Sequence, residues 1–214
     1  MRSLLLMKAM PMAEVDSRNT GAINGLSLYF KKTPTFTSPC QCQTTWKETL
    51  KQCQEEIDSL QNLSEQYTCC NEAGIDVLLL QLPDVREKML YKISLEIDKK
   101  LNKLQINMNT LKDCCDRISK QYDYSSNITK GLPLDLVTMT TETIPAFADM
   151  VERLNDIDIL LHHQYWAKKH LLDTYTVQKF DSDNFMKMWN SGNNETTQKV
   201  NDALCYVKFL LDDT

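Results

Sequence analysis

Glycine and proline are scarce in this chain, whose 214 residues include only 5 Gly and 6 Pro. A β-rich protein of this length needs many tight turns, and glycine and proline supply the backbone conformations of most of them. The scarcity therefore favours helix over sheet. Phosphate-binding and nucleophile-elbow motifs, which depend on glycine, are absent too, since no G-x-x-x-x-G-K-[ST], G-x-G-x-x-G or G-x-S-x-G sequence occurs. We expect no enzymatic activity and no cofactor.

Long apolar runs and an excess of positive charge are also missing. No stretch approaches the roughly 18–20 apolar residues of a membrane span. The apolar run from Leu4 to Met7 is shorter than the roughly 7–15 residues of a secretory leader. The formal net charge of −5 lacks the basic footprint of a general nucleic-acid binder. We expect a globular chain without a cleaved leader, and a local basic patch remains compatible with contact to a ribonucleoprotein.

The chain has eight cysteines, and their spacing decides between two cellular settings. An even count, together with three Asn-x-Ser/Thr sequons, would suit a secreted disulfide-linked protein. However, helical patterns include Cys53, Cys69, Cys114 and Cys115, and a thiol in a helix also serves as a small buried apolar group. Cys40-Gln41-Cys42 stands without a second pair at zinc spacing. Reduced thiols in an intracellular protein are the interpretation we favour.

Proline and glycine cluster near the N-terminus and set the domain division. Pro11, Pro34 and Pro39 interrupt helix in this region. Residues 1–40 are therefore predicted to form an irregular or flexible extension, and residues 41–214 a helical bundle domain.

Apolar residues at steps of three and four predict four main helices. The first starts near Gln43, with Thr44 or Thr45 as its cap, and continues to Tyr67. The second, from Pro83 to Tyr122, spans about 40 residues, and from Leu101 its steps alternate three and four as in a coiled coil. A polar connection over 122–143 precedes a helix capped by Thr143 with Pro145 just inside it, and the last helix covers about 195–211. The fold class is thus all-α, an elongated helical bundle with one long coiled-coil-like helix.

All three histidines lie on the third of these helices, within "DMVERLNDIDILLHHQYWAKKHLL". His162 follows Asp158 by four residues, as an oriented acid–base pair requires, and His163 precedes His170 by seven. Zinc needs about four ligands, and no general base stands between two histidines as in H-E-x-x-H. We interpret them as surface residues, with a metal-binding or hydrolytic bundle as an alternative.

Aromatic and basic residues on the same helix suggest a contact with another protein. Trp166 falls off the main apolar stripe, beside Lys168 and Lys169, and an exposed Trp near lysine is a typical interaction hot spot. Trp46 is predicted to be core, and Trp189 to hold a short helix against the bundle.

Four segments in a fixed order resemble the AIRIM family of AAA-ATPase-interacting ribosome maturation factors. These are "TWKETLKQCQEEIDSLQNLSEQ", "LPDVREKMLYKI", the histidine-bearing stretch above and "ALCYVKFLLDD", which together cover about residues 45–213. The family begins with an extra helical stretch before the Trp46 segment, whereas this chain has prolines and "CQCQ" there. This chain therefore departs from the family pattern in its first forty residues.

The resemblance implies a non-catalytic adaptor subunit. Its partners would be a heterohexameric AAA ATPase, a small coiled-coil protein similar to the cyclin-dependent-kinase-interacting protein, and the precursor of the large ribosomal subunit. The assembly would act in cytoplasmic maturation by releasing and recycling a maturation factor, and would also support replication and proliferation. The expected localisation is cytoplasmic and nuclear, with no membrane partner.

Two surfaces are the candidate interfaces. Leu101 to Tyr122 is predicted to pair with the small helical partner, and the 149–172 helix to provide a polar contact face. The candidate interface residues are Leu101, Leu104, Met108, Leu111, Ile118, Arg153, Tyr165, Trp166, Lys168 and Lys169. The alternatives are a secreted four-helix cytokine-like protein and a self-associating coiled-coil scaffold.

Overall fold

A computed structural model describes residues 37–72, 84–140, 145–174 and 182–212 of the chain. Within these ranges there are helices and no strand, so the prediction of an all-α fold is confirmed. The helices are α1 (Thr37–Glu72), α2 (Asp84–Lys130), α3 (Leu134–Thr138), α4 (Phe147–Asp173), α5 (Ser182–Asn190) and α6 (Asn193–Asp212).

Helix α1 begins earlier than its apolar pattern indicates. It starts at Thr37 rather than near Gln43, so neither Thr44 nor Thr45 caps it. Pro39 lies inside the first turn, where the missing N–H costs nothing because no carbonyl precedes it to accept that bond. Residues 37–40 of the predicted irregular extension are therefore helical, while residues 1–36 lie outside the described ranges and the domain boundary stays a prediction.

Helix α2 is one continuous helix of 47 residues, about 70 Å long at 1.5 Å per residue. It continues past Tyr122 to Lys130, so the first part of the predicted polar connection is helical rather than irregular. Gly131 follows its last turn, where the Gly131 N–H donates to the Ile128 carbonyl at 3.0 Å. Pro133 then occupies the cap position of the short helix α3.

Helices α1 and α2 pack antiparallel, as their cross-contacts show. Cys42 near the start of α1 hydrogen-bonds Cys114, whereas Glu56, further along α1, pairs with Lys100 at 2.8 Å and Lys103 at 3.2 Å. Burial alone raises the pKa of the Glu56 carboxyl, but the hydrogen bonds and charges of the two lysines outweigh it and hold the pKa below its usual range.

Helix α4 completes the core by packing on α2, and α6 packs on α4. Ser119 of α2 donates to the Asp158 carboxylate of α4 at 2.6 Å. The helix begins at Phe147, so Pro145 precedes it rather than lying inside, because Ala146 takes the cap position with an extended backbone. Thr143, the predicted cap, lies outside the described residues.

One apolar core joins these helices. It includes Trp46 and Trp189, which are 4% and 1% exposed, so both predictions of buried tryptophans are confirmed. Across the described part of the chain, no helix combines the length and apolar character that crossing a membrane requires.

Candidate protein-interaction surface

The predicted partner seam of α2 faces the interior of this chain. Its buried members are 0–1% exposed and belong to the common core with side chains of α1 and α4, and Leu101 packs against that core half-buried. The buried members are Leu104, Met108, Leu111 and Ile118. The coiled-coil spacing therefore reflects packing within the bundle, and a partner that binds the bundle in this form reaches other residues.

Lys168 is buried rather than part of a basic surface cluster, since only 2% of it is exposed. Its Nζ donates to the Trp189 carbonyl at 2.6 Å and to Asn193 Oδ1 at 2.7 Å. The same ammonium lies 4.6 Å from the centre of the Trp189 ring, in a cation–π contact. Lys168 thus ties α4 to the α5–α6 corner from inside.

Spacing along α4 contains the signal that places Lys168 inside. Leu154, Leu161 and Lys168 follow one another at intervals of seven, so the lysine continues a buried row. Desolvation by this burial lowers the pKa of Lys168 to about 8. Tyr165, another predicted contact residue, is also inside at 5% exposure, and its ring meets that of Trp166 edge-on at 5.2 Å.

The corner that receives Lys168 depends on a glycine. Gly192 has a φ of +73°, in the left-handed region that glycine adopts without steric cost. A Cβ added there would lie 2.6 Å from Gln164 Nε2. That nitrogen donates to the Ser191 carbonyl at 3.4 Å. The corner therefore requires glycine at position 192. Gln164 and Lys168, on successive turns of α4, both hydrogen-bond to it.

The histidines of α4 are distributed at and near the surface. His163 and His170 are exposed, and half-buried His162 has its Nδ1 3.0 Å from the Asp158 carbonyl oxygen and 3.2 Å from its carboxylate. The Asp158 carboxylate in turn accepts a hydrogen bond from the Ser119 hydroxyl. The carboxylate thus joins α2 to α4, and the serine donates to it rather than to an imidazole, unlike a nucleophile activated by histidine. Among the described residues, no group of three or more potential ligands is arranged to hold a metal ion.

Three members of the predicted interface that keep contact with solvent, exposed Trp166 and half-buried Arg153 and Lys169, lie on α4. Trp166 is 59% exposed, and Lys169 is half-buried and pairs with Asp173 at 3.2 Å. Arg153 lines a groove of about 460 Å³ between α4 and α6, together with Leu160. At 100° per residue, Arg153 and Lys169 lie about 160° apart around the helix, on either side of Trp166. The polar contact face on α4 stays a prediction.

Ile159, which the sequence reasoning did not single out, belongs to the same surface. It is 57% exposed and precedes Trp166 by seven residues, so the two residues lie on the same face of α4, about 10 Å apart along the helix axis. The interval of seven between two large apolar residues outside the buried stripe is the signal that could have found it.

No disulfide joins the cysteines whose side chains the structure describes, which are Cys42, Cys53, Cys69, Cys70, Cys114, Cys115 and Cys205. Burial raises the pKa of Cys53 to about 11. The hydrogen bond with Cys42, followed by burial, raises the pKa of Cys114. Buried thiols with raised pKa values are unreactive, in accord with their role as small core residues.

The described residues form an all-α bundle with a closed apolar core. Trp166 is exposed on it beside half-buried Lys169, a combination common at surfaces that bind other proteins. A family model described as CA109-like, ribosome biogenesis protein C1orf109-like, matches residues 30–209, and the chain belongs to this family. The resemblance seen in the sequence is thus confirmed, and the match begins before the Trp46 segment.

Curated relatives carry one name, AFG2-interacting ribosome maturation factor. The Mus musculus protein is 28% identical over 187 residues, which covers 80% of this chain and 82% of the relative. The Homo sapiens protein is 28% identical over 181 residues, which covers 80% of this chain and 88% of the relative. The Danio rerio protein is 28% identical over 169 residues, which covers 75% of this chain and 83% of the relative.

Proposed function

We propose that this chain is a non-catalytic adaptor subunit of a AAA ATPase complex that acts in cytoplasmic maturation of the large ribosomal subunit. The relatives of this chain are named for an interaction with AFG2 and for ribosome maturation. In this role the ATPase hydrolyses ATP, and the adaptor connects it to its substrate, so that a maturation factor is released and recycled. The chain works in both cytoplasm and nucleus, where the same assembly supports replication and proliferation.

The outer face of α4 is the observation that carries this proposal. Trp166 and Ile159, 59% and 57% exposed, lie one heptad apart on α4, and other large apolar residues such as Tyr91 and Leu134 are exposed elsewhere. An exposed tryptophan is a costly surface residue unless a partner covers it, and tryptophan is enriched among residues that dominate binding energy. This face is the surface through which the adaptor contacts the ATPase assembly, including its small coiled-coil member.

Affinity purification of the tagged full-length chain from its native cells tests the proposal. We expect a AAA ATPase of the AFG2 type and large-subunit assembly factors to co-purify, as identified by mass spectrometry. We also expect the purified chain alone to hydrolyse no ATP. The negative control is Leu104→Asp. It places a charge in the closed core and should remove the co-purifying proteins together with the fold.

Two outcomes would contradict the adaptor role. One is recovery of the wild-type chain without any AAA ATPase. The other is ATP turnover by the isolated chain that persists after removal of contaminating ATPases by a second chromatographic step.

A further inference from the structure

Helix α5 is a short element that a small number of side chains attach to the bundle. It has nine residues, and a helix of this length is unstable in water without tertiary contacts. The neighbour against which it packs most extensively is α4. Among its described side chains, Phe185 and Trp189 are buried and stack with ring centres 6.1 Å apart, whereas Met188 is 50% exposed. The two stacked aromatic rings are therefore its main anchor.

Two side-chain hydrogen bonds also reach α5 and the residue that follows it. Gln54 of α1 donates to Met186 Sδ at 3.7 Å, and a thioether sulfur is a weak acceptor. Gln164 of α4 donates to the Ser191 carbonyl at 3.4 Å, which is longer than the usual range of about 2.7–3.2 Å. These two hydrogen bonds therefore add little to the anchor that the aromatic rings provide.

The buried ammonium group of Lys168 is in direct contact with α5. Its Nζ donates to the Trp189 carbonyl at 2.6 Å and lies 4.6 Å from the centre of the Trp189 ring. A third contact, with Asn193 Oδ1 at 2.7 Å, comes from the start of α6. Helix α5 thus supplies two of these three contacts, and its departure from α4 would open the ammonium group to water.

These contacts replace the hydration of the ammonium group only in part. Desolvation by burial lowers the pKa of Lys168 to about 8, so the interior holds the charged form less favourably than water does. Among the described residues, Cys53 of α1 is the titratable group whose charge acts on Lys168, and its thiol is neutral below its own pKa of about 11. Helices α5 and α6 face the ammonium group with uncharged Trp189 and Asn193. The lost hydration therefore opposes the packing of α5 over Lys168.

Gly192 provides a point about which α5 can move relative to α6. It is exposed, has a φ of +73°, and carries no side chain that restricts its backbone. The start of α6 is held without help from α5, because the Thr196 N–H donates to the Gly192 carbonyl at 2.9 Å. Farther along α6, Val200 and Leu204 belong to the common core. Helix α6 can therefore stay in place when α5 leaves.

We propose that α5 is a lid that opens about Gly192 while the rest of the bundle stays folded, and that hydration of the Lys168 ammonium group drives this opening. In the open form Phe185 and Trp189 leave the core, and the α4 turn that carries Lys168 meets water. A rise in pH removes the charge and so holds the lid closed. The lid is a property of the isolated chain and does not depend on the proposed function.

Hydrogen exchange of the full-length chain, with quench-flow labelling read out by mass spectrometry, tests the lid. We expect the backbone amides of α5 to be less protected than those of α2 around Leu111, because they exchange through a smaller opening. We also expect the protection factor of α5, corrected for the intrinsic effect of pH on exchange, to rise about tenfold from pH 7 to pH 9, as a pKa of about 8 in the closed form and 10.5 in the open form requires.

Three results would overturn the proposed lid. Equal protection of α5 and α2 would show that α5 separates only when the whole chain unfolds. Lower protection of α5 that does not change between pH 7 and pH 9 would show that the opening leaves Lys168 buried. A fall in α5 protection with rising pH would show that the charge on Lys168 fastens α5 to the bundle instead of driving it away.

Substitution of the lysine assigns the pH dependence to one group. Lys168→Met should abolish the rise in α5 protection between pH 7 and pH 9. The matched control is Lys169→Met, at the next position, where the native side chain pairs with Asp173 at 3.2 Å on the surface; this variant should keep the tenfold rise. A rise that persists in Lys168→Met, with a fold shown intact by circular dichroism, would contradict the proposal. If Lys168→Met does not fold, the profile of the wild-type chain with that of Lys169→Met still decides.

Discussion

Lys168 shows how one residue can sit in a basic-looking cluster and still be internal. Its neighbours Trp166 and Lys169 face outward or lie at the boundary, and the helical turn of 100° per residue separates it from both. The ammonium retains its hydrogen bonds because the Trp189 carbonyl and Asn193 lie within reach. A buried lysine remains costly to protonate even with such acceptors, and this cost leads to a dependence of stability on pH.

The folded chain should become more stable as pH rises above about 8, through Lys168. Its pKa in the folded state is about 8 against 10.5 for the unfolded reference. The unfolded chain therefore holds more protons between these values, and the free energy of unfolding rises with pH there. We expect a gain of up to about 2 kcal/mol between pH 7.5 and 9.5 relative to Lys168→Met, measured by urea unfolding.

The comparison with Lys168→Met separates the lysine from the thiols. Cys53 has a folded pKa raised to about 11 from 9.0, so its contribution to stability is lost as pH rises through that range, opposite to the lysine. The thiol is present in both proteins and largely cancels. Lys169→Met serves as the control, and a pH profile identical in all three proteins would contradict the assignment.

At the scale of single residues, spacing predicts burial better than it predicts role. The stripe that includes Trp46 and the alternation within α2 correctly indicated core positions. The same alternation does not show which chain covers Leu104 and Leu111. A seam at steps of three and four looks identical whether the covering helix belongs to the same chain or to another protein.

The long helix α2 is the element on which the bundle depends. One side of it meets α1 and another meets α4, so its buried residues contribute to both contacts. Ile106 and Leu111 lie little more than one turn apart, yet they are 64% and 0% exposed. Substitutions at these two residues compare how much a buried and an exposed side chain of the same helix contribute to the free energy of unfolding.

Leu111→Ala should lower the free energy of unfolding by about 2–5 kcal/mol, since it removes buried methyl groups and leaves a cavity. Ile106→Ala should change it by about 0.5 kcal/mol or less, because its side chain is mostly in water. Urea unfolding followed by circular dichroism measures both. Similar losses for the two variants would show that α2 is not packed as described.

Helix existence was predictable from the sequence, and helix ends were not. Apolar spacing stops at Tyr122, whereas the backbone continues helically to Lys130, because polar residues propagate a helix that is already nucleated. Proline content predicts that Pro39 interrupts helix, but a first helical turn accepts proline. Both errors have the same cause. The apolar pattern reports which side chains are buried, whereas the ends of a helix are set by backbone hydrogen bonds.

For the molecule as a whole, the state of the cysteines decides between the adaptor and a secreted protein. The buried thiols Cys42, Cys53, Cys114 and Cys115 lie within the helical core, and Cys69 and Cys205 are exposed. A bundle of this kind holds its fold by apolar burial and needs no covalent link between its helices.

A thiol-reactive dye should detect all eight cysteines of the chain under denaturing, non-reducing conditions. In the native protein, Cys69 and Cys205 should react first, since exposure and thiolate formation govern the rate. Mass mapping of the labelled peptides identifies them. Fewer than eight reactive thiols after unfolding would show cystines and favour the secreted alternative.

The uninterrupted rod of α2 also restricts how chain length can vary among related proteins. A single inserted residue between Ile97 and Ile118 would rotate everything beyond it by about 100°, and would turn half of the buried row toward water. Gains and losses of residues should therefore accumulate in the links between helices, or arrive inside the rod in multiples of seven.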